Sequence, residues 1–242
     1  MGRKKQHLLL ADTETAQNGK VADFGAVVVD LKGNIVNSCS VMVHGVYDVP
    51  ENPENLLFHL RGNEGIFNPD KLAWRYENYN NMLENGSRSL ASVGAINRWL
   101  TRVNVAYNPV LTAYNLNFDL GKCENTGIDL GQFKRQFCLM YACQQLYGNK
   151  RKYRQFILEN HFFNKPTPKG NMTYQTKADT MAKFLLGAEY PDEPHTAYED
   201  CVGYELPLLV DVIKKQSLKW CLNDVKAGNW ERFIVKNNFK VK

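Results

Sequence analysis

Asp12, Glu14, Asp119, His195 and Asp200 are the residues whose types and settings suit joint chemistry. Residues 8–15 read LLLADTET, so small and apolar residues run straight into Asp12, Thr13 and Glu14. Side chains two apart on a β-strand share a face, which would stand Asp12 and Glu14 side by side at the end of a buried strand. Carboxylates held that close repel, and a shared proton or a bound cation relieves them. A divalent metal at this spot, with further ligands from elsewhere in the chain, is the chemistry this stretch predicts. It is the only D-x-E in the sequence.

Asp119 lies in TAYNLNFDL (112–120), just past a short apolar strand and at the start of a helix. Asn115 ends the strand, and Phe118 is expected to pack inward. Read locally, Asp119 is more simply an acid at a helix N-terminus, where the dipole favours it. The third stretch is EPHTAYEDC (193–201). Thr196 and Glu199 have the T-x-x-E spacing of a capping box, which gives Glu199 a structural task. With Thr196 as N-cap, His195 falls at N′ and Asp200 at N4, positions that an apolar staple usually joins. An imidazole and a carboxylate in those places point to chemistry. His7 and Asp12 have the same spacing of five, but on a strand it sets them on opposite faces.

The elements that must hold these residues follow from the patterning. Residues 7–12, 25–30 and 34–43 read as three successive strands, with a turn at Lys32–Gly33, and so as an antiparallel meander. Residues 48–68 look irregular, with a short helix at ENLLFHL. Leu72, Tyr76, Tyr79 and Leu83 mark one helix; Leu90, Val93, Ile96, Leu100 and Val103 mark a second that follows Ser87–Ser89. Short strands are expected at 109–115 and 136–140, and helices at 141–148, 176–186 and about 196–215. Thr176 and Asp179 suggest a cap for the helix at 176–186. The last helix should bury Val202, Leu206, Leu209 and Ile213, and Pro207 should kink it. A helical piece then runs to Gly228, ahead of a polar tail. Strands first, then helices alternating with strands, predict an α/β mixed sheet, whose ligands gather at strand ends.

Composition narrows the class. With 242 residues, 44% hydrophobic and 23% charged, the chain is that of a soluble globular protein of one large domain. It has no apolar run of membrane-spanning length, and the run after the basic N-terminus is too short for a signal-peptide core. The expectation is a cytoplasmic protein with no membrane partner, its six cysteines reduced. The net charge of +5 is uneven: residues 150–177 and 214–242 each carry +6, against −7 for the remainder. Two basic segments on an acidic body suit a polyanion, or are solvated surface. Tyr147, Tyr153, Phe156, Phe162, Phe163 and Tyr174 are interleaved with the first basic segment, where they would either stack on bases or fill the core.

Together the three stretches resemble the DEDDh 3′–5′ exonucleases, a family with the RNase H-like fold that includes polymerase proofreading subunits, RNase T and oligoribonuclease. The motifs are D-x-E-T (Asp12, Glu14, Thr15), N-x-x-F-D (Asn115, Phe118, Asp119) and H-x-A-x-x-D (His195, Ala197, Asp200), in the family's order. The resemblance implies an exonuclease domain over 1–214, with 215–242 as a basic extension that has no counterpart. It implies a mixed sheet, with an antiparallel meander followed by parallel strands, flanked by helices. It also implies two divalent cations, Mg²⁺ or Mn²⁺, held by Asp12, Glu14, Asp119 and Asp200. Asp12 would bridge the two ions, and His195 would serve as general base. Thr15, Asn115 and Phe118 would touch the terminal nucleotide. The implied partner is nucleic acid with a single-stranded 3′ end. Alternatives are a proofreading subunit that works with a DNA polymerase and a non-catalytic nucleic-acid-binding module.

Overall fold

The computed structural model describes residues 5–49, 55–57, 69–166, 170–228 and 234–235. Its first three strands are β1 (His7–Thr15), β2 (Val21–Asp30) and β3 (Ile35–Val43), paired as an antiparallel meander. The β2–β3 turn is clasped by Asp30, whose Oδ1 accepts from the backbone N–H groups of Lys32 and Asn34. Gly33 there has φ 88°, a left-handed conformation that glycine adopts without a Cβ penalty.

The chain next forms α1 (Pro69–Glu84), the short strand β4 (Ser89–Ala91) and α2 (Val93–Tyr107). The helix expected directly after Ser87–Ser89 therefore starts later. Leu90 lies on β4, which pairs parallel to β3, and is 45% exposed. Ser92 is the true cap of α2, its Oγ accepting from the Ala95 N–H at 3.2 Å. Ile96, Leu100 and Val103 are buried as the spacing predicts. The helix expected at ENLLFHL lies largely outside the described residues, as does the side chain of Leu72.

After β5 (Val110–Ala113) come α3 (Leu116–Thr126), β6 (Gln136–Cys138), α4 (Leu139–Cys143), which runs on as a π turn, and α5 (Arg151–Asn160). A short strand β7 (Met172–Thr173) precedes α6 (Ala178–Leu186). The final helix comprises α7 (Ala197–Asp200), a π turn (Cys201–Glu205) and α8 (Leu206–Lys215). Then come α9 (Leu218–Asn223) and β8 (Ile234–Val235), which pairs with β7. The six-stranded sheet has the order β4-β3-β2-β1-β5-β6, with β5 and β6 parallel to β1. This is the mixed α/β sheet, antiparallel then parallel, that the sequence predicts.

Both faces of this sheet are covered. Leu9 and Ala11 of β1 pack with α2 and α3, while Leu8 and Leu10 pack with residues from α4 through α9. Burial on both sides is why β1 reads as an unbroken apolar run rather than an alternating one.

Two further expectations shift, and one open alternative is decided. First, the buried set in α8 is Leu206, Leu208, Leu209 and Val212, with Val202 and Ile213 only partly covered. The π turn adds a residue ahead of α8 and so rotates the apolar face by about one position. Pro207 then sits at the start of α8, where its missing N–H costs little. Second, the cap of α6 is Lys177 rather than Thr176; the Thr176 hydroxyl accepts from Gln144 and its carbonyl from Tyr114. The alternative between stacking and core for the aromatics of the basic segment falls to the core. Tyr147, Tyr153 and Tyr174 are buried, and Phe156, Phe162 and Phe163 pack against the same core. α9 also belongs to that core through the buried Cys221. All six cysteines are free thiols. Among the described residues no helix is long and apolar enough to cross a membrane.

Candidate functional site

β1 supplies the floor. Asp12 and Glu14 continue the face of Leu8 and Leu10, so they point toward the final helix. Across the ladder, Asp12 faces Gly25 and Glu14 faces Asp23. Gly25 is what lets the helix in. A Cβ placed there would lie 2.4 Å from the backbone of Ala197 and Tyr198, so only a bare backbone permits this approach. The helix start is then locked. Asp23 Oδ2 accepts from the Ala197 N–H at 2.9 Å, and Arg88, wholly buried, bridges Asp23 at 3.1 Å and Glu199 at 2.5 Å. Glu199 is structural, as expected, but it serves Arg88, and no side-chain cap forms at Thr196.

From the other face, α3 brings in Asp119, whose Oδ1 accepts from the Thr13 hydroxyl at 2.8 Å. The loop before α7 brings His195, with φ 56° in the left-handed region. The His195 carbonyl accepts from the Arg75 guanidinium and, at 3.4 Å, from the Tyr79 hydroxyl, so α1 braces the strained turn. Arg75 also pairs with Glu14 at 3.0 Å. His195 Nδ1 lies 3.9 Å from Glu14 Oε1, and ligand atoms of Glu14, His195 and Asp200 all fall within 4.8 Å of one another.

These residues line a cleft of about 550 Å³ at the strand ends: Asp12, Glu14, Asn115, Phe118, Asp119, His195 and Asp200 all contribute. Asn115 caps α3 with φ 69°. Phe118 does not pack inward; it is 38% exposed, with Lys122 Nζ 5.2 Å from its ring centre. The outward turn follows from the start of α3, which buries Leu116 and Asp119 and leaves Asn117 and Phe118 between them exposed. Thr15 is buried just past the β1 bulge and is not among the cleft-lining residues. Arg75, Glu193 and Glu205 were not singled out from the sequence. The last two line the cleft, and no local pattern marks any of the three.

The electrostatics are those of anions crowded without enough positive charge. Burial, with repulsion from neighbouring acids, pushes Asp12 up to about 7 and Asp200 up to about 10. Burial likewise lifts Glu14 to about 8 against the pull of Arg75, and lifts Asp119 well above the usual carboxylate range. His195 is held below its ordinary value by partial burial and then by the Arg75 charge, which leaves the imidazole neutral and able to accept a proton near pH 7. Three buried carboxylate oxygens, Asp119 Oδ2, Asp200 Oδ1 and Glu205 Oε2, have no hydrogen-bond partner among the described residues. Unpartnered buried anions cost free energy that a cation would recover. A donor set of carboxylate oxygens with one imidazole fits a hard divalent ion such as Mg²⁺ or Mn²⁺. The group of Glu14, His195 and Asp200 could hold such an ion.

No family model matches the chain, and no curated protein does. Solved structures similar in shape include two of exonuclease I. One is exonuclease I with the inhibitor BCBP, at TM-score 0.45 and 10% identity, covering 90% of this chain and 43% of that one. The other is E. coli exonuclease I with a 5cy-dT13 oligonucleotide, at TM-score 0.42 and 10% identity, covering 87% and 40%. The chain thus spans less than half the length of either.

Proposed function

We propose that this protein is a metal-dependent 3′→5′ exonuclease that releases 5′-mononucleotides from the 3′ end of DNA or RNA. The observation that carries this reading is the meeting of Asp12, Glu14, Asp119, Asp200 and His195 in one open cleft, with buried carboxylate oxygens left unpartnered. Asp12, Glu14, Asp119 and Asp200 would hold two divalent cations. Such ions supply Lewis acidity to a phosphodiester and lower the pKa of water.

The chain's own residues do the rest. Arg75 orients Glu14 and, through the His195 carbonyl, holds the His195 turn. His195, half-exposed at the cleft mouth, takes the proton from the attacking water. Thr13 fixes Asp119 by donating to Oδ1. Asn115 and Phe118 at the rim would meet the terminal nucleotide, with the Phe118 ring offering a face for its base. The cleft also presents Lys177, a cation suited to a phosphate.

The decisive experiment is digestion of 5′-labelled DNA and RNA oligonucleotides, single- and double-stranded, with Mg²⁺, Mn²⁺ or a chelator. A ladder that shortens from the 3′ end only when metal is present is the expected result. No degradation with either metal, or equal degradation in chelator, would sink the reading.

A further inference from the structure

Glu205 is 3% exposed, lines the same cleft as Asp12, Asp119 and Asp200, and leaves Oε2 without a hydrogen-bond partner among the described residues. A buried carboxylate with a bare oxygen is a liability in a merely structural role.

A specific backbone device carries it there. Helix 197–215 is interrupted by the π turn Cys201–Glu205, where the Leu206 N–H bonds back to the Cys201 carbonyl. On a regular α-helix, a residue five past Asp200 would be about 140° round the axis from it, off its face. The i→i+5 turn is wider, so Glu205 completes close to one turn and returns to the cleft. Turns of this kind are rare and concentrate at functional sites.

Charge points the same way. Six carboxylates line the cleft, Asp12, Glu14, Asp119, Glu193, Asp200 and Glu205, and when all are ionised Lys177 on the lining and Arg75 on Glu14 offset two of their charges. The remaining four match two divalent ions. Glu205, like Asp12 and Asp119, lies outside the close group of Glu14, His195 and Asp200, and after burial Asp12 and Asp119 are the leading neighbours that raise its carboxyl.

We propose that Glu205 is a fifth carboxylate of the cation centre, serving the ion on the Asp12–Asp119 side of the cleft, directly or through a water molecule. The proposal rests on the reading of this cleft as a two-cation centre. The test is Mn²⁺ binding to the full-length protein, followed by electron paramagnetic resonance of free Mn²⁺ and by calorimetry. Wild type should take up two ions. Glu205→Gln, which keeps the shape and removes the charge, should weaken one ion at least tenfold and leave the other unchanged. Two ions at wild-type affinity in Glu205→Gln would overturn the proposal. Loss of both ions from a folded variant would overturn the assignment to one side. If Glu205→Gln does not fold, Glu205→Met, which suits a buried position, carries the same measurement with the same outcomes. A wild-type protein that takes up no Mn²⁺ would instead remove the two-cation reading itself.

Discussion

In the proposed reaction Asp12 and His195 have separable duties, and single substitutions should tell them apart. Asp12→Ala should reduce metal-dependent nucleotide release to background while circular dichroism shows an intact fold. The lost side chain is a crowded anion rather than a packing element, so the fold does not need it. For His195→Ala, turnover should fall by about 10²–10⁴ with Mn²⁺ still held by the four carboxylates, as for loss of a general base; a collapse of Mn²⁺ affinity would make His195 a ligand of the ion instead. Because His195 titrates below its ordinary value, wild-type kcat should rise with pH to a plateau by about pH 7, with its inflection below 6.5. That limb should vanish in His195→Ala; its persistence would assign the proton to another group. The carboxylates make the opposite demand on stability. Asp12 and Glu14 have folded values raised to about 7 and about 8, so between pH 4 and those values the folded state binds more protons than the unfolded one. In chelator, the melting temperature should therefore fall as pH rises from about 5 to 8, and millimolar Mg²⁺ should flatten or reverse the slope. A chelated protein whose stability rises over that range would contradict this crowding of buried acids.

Two elements do most of the positioning. The final helix can reach the strand ends only because β2 presents Gly25, which faces Asp12 across the ladder. Gly25→Ala should cost about 1–3 kcal/mol in urea unfolding, the usual penalty for overpacking, with more than tenfold loss of activity as Asp200 moves away from Asp12. Normal activity with normal stability would mean that the helix seat is slack. The Asp23–Arg88–Glu199 cluster, buried at Asp23 and Arg88 and half-buried at Glu199, holds that seat against the Gly25 backbone. The other element is α1, which reaches the site from outside the sheet. Arg75 ties it to both Glu14 and the His195 turn.

For the molecule as a whole, the distribution of positive charge suggests where a polyanion would lie. The aromatics of the 150–177 segment are buried in the core or packed against it, so contact there is expected chiefly from its Lys and Arg residues. The C-terminal extension divides at α9. Residues 218–223 pack into the body through Cys221, whereas residues 229–242 carry four Lys/Arg against one acid. Truncation after Gly228 spares the packed helix and removes β8, the partner of β7, along with the four cations. It should weaken single-stranded oligonucleotide binding and reduce the salt slope by up to about 3, the counterion release of four cations. An unchanged slope would show that this tail makes no phosphate contact.

Asp119, which reads locally as a helix N-terminal acid, became a candidate only through the resemblance; the antiparallel meander, the apolar run of β1 and the candidates at positions 12, 14, 195 and 200 were legible in the sequence itself. Each is written locally, as an apolar run, a period or a spacing, and the sheet class follows from their order. Tertiary structure decided what no local pattern encodes. Arg75 meets Glu14 across 61 positions of chain, and nothing in a helical period announces such a partner. Gly25 reads as a weak strand residue until a helix backbone lies 2.4 Å from its absent Cβ. The π turn at 201–205 is invisible to a 3.6-residue period. It moved the buried face of the final helix by one residue and brought Glu205 into the cleft. Periodicity records which residues avoid water; which charges face one another is settled only when separate elements pack.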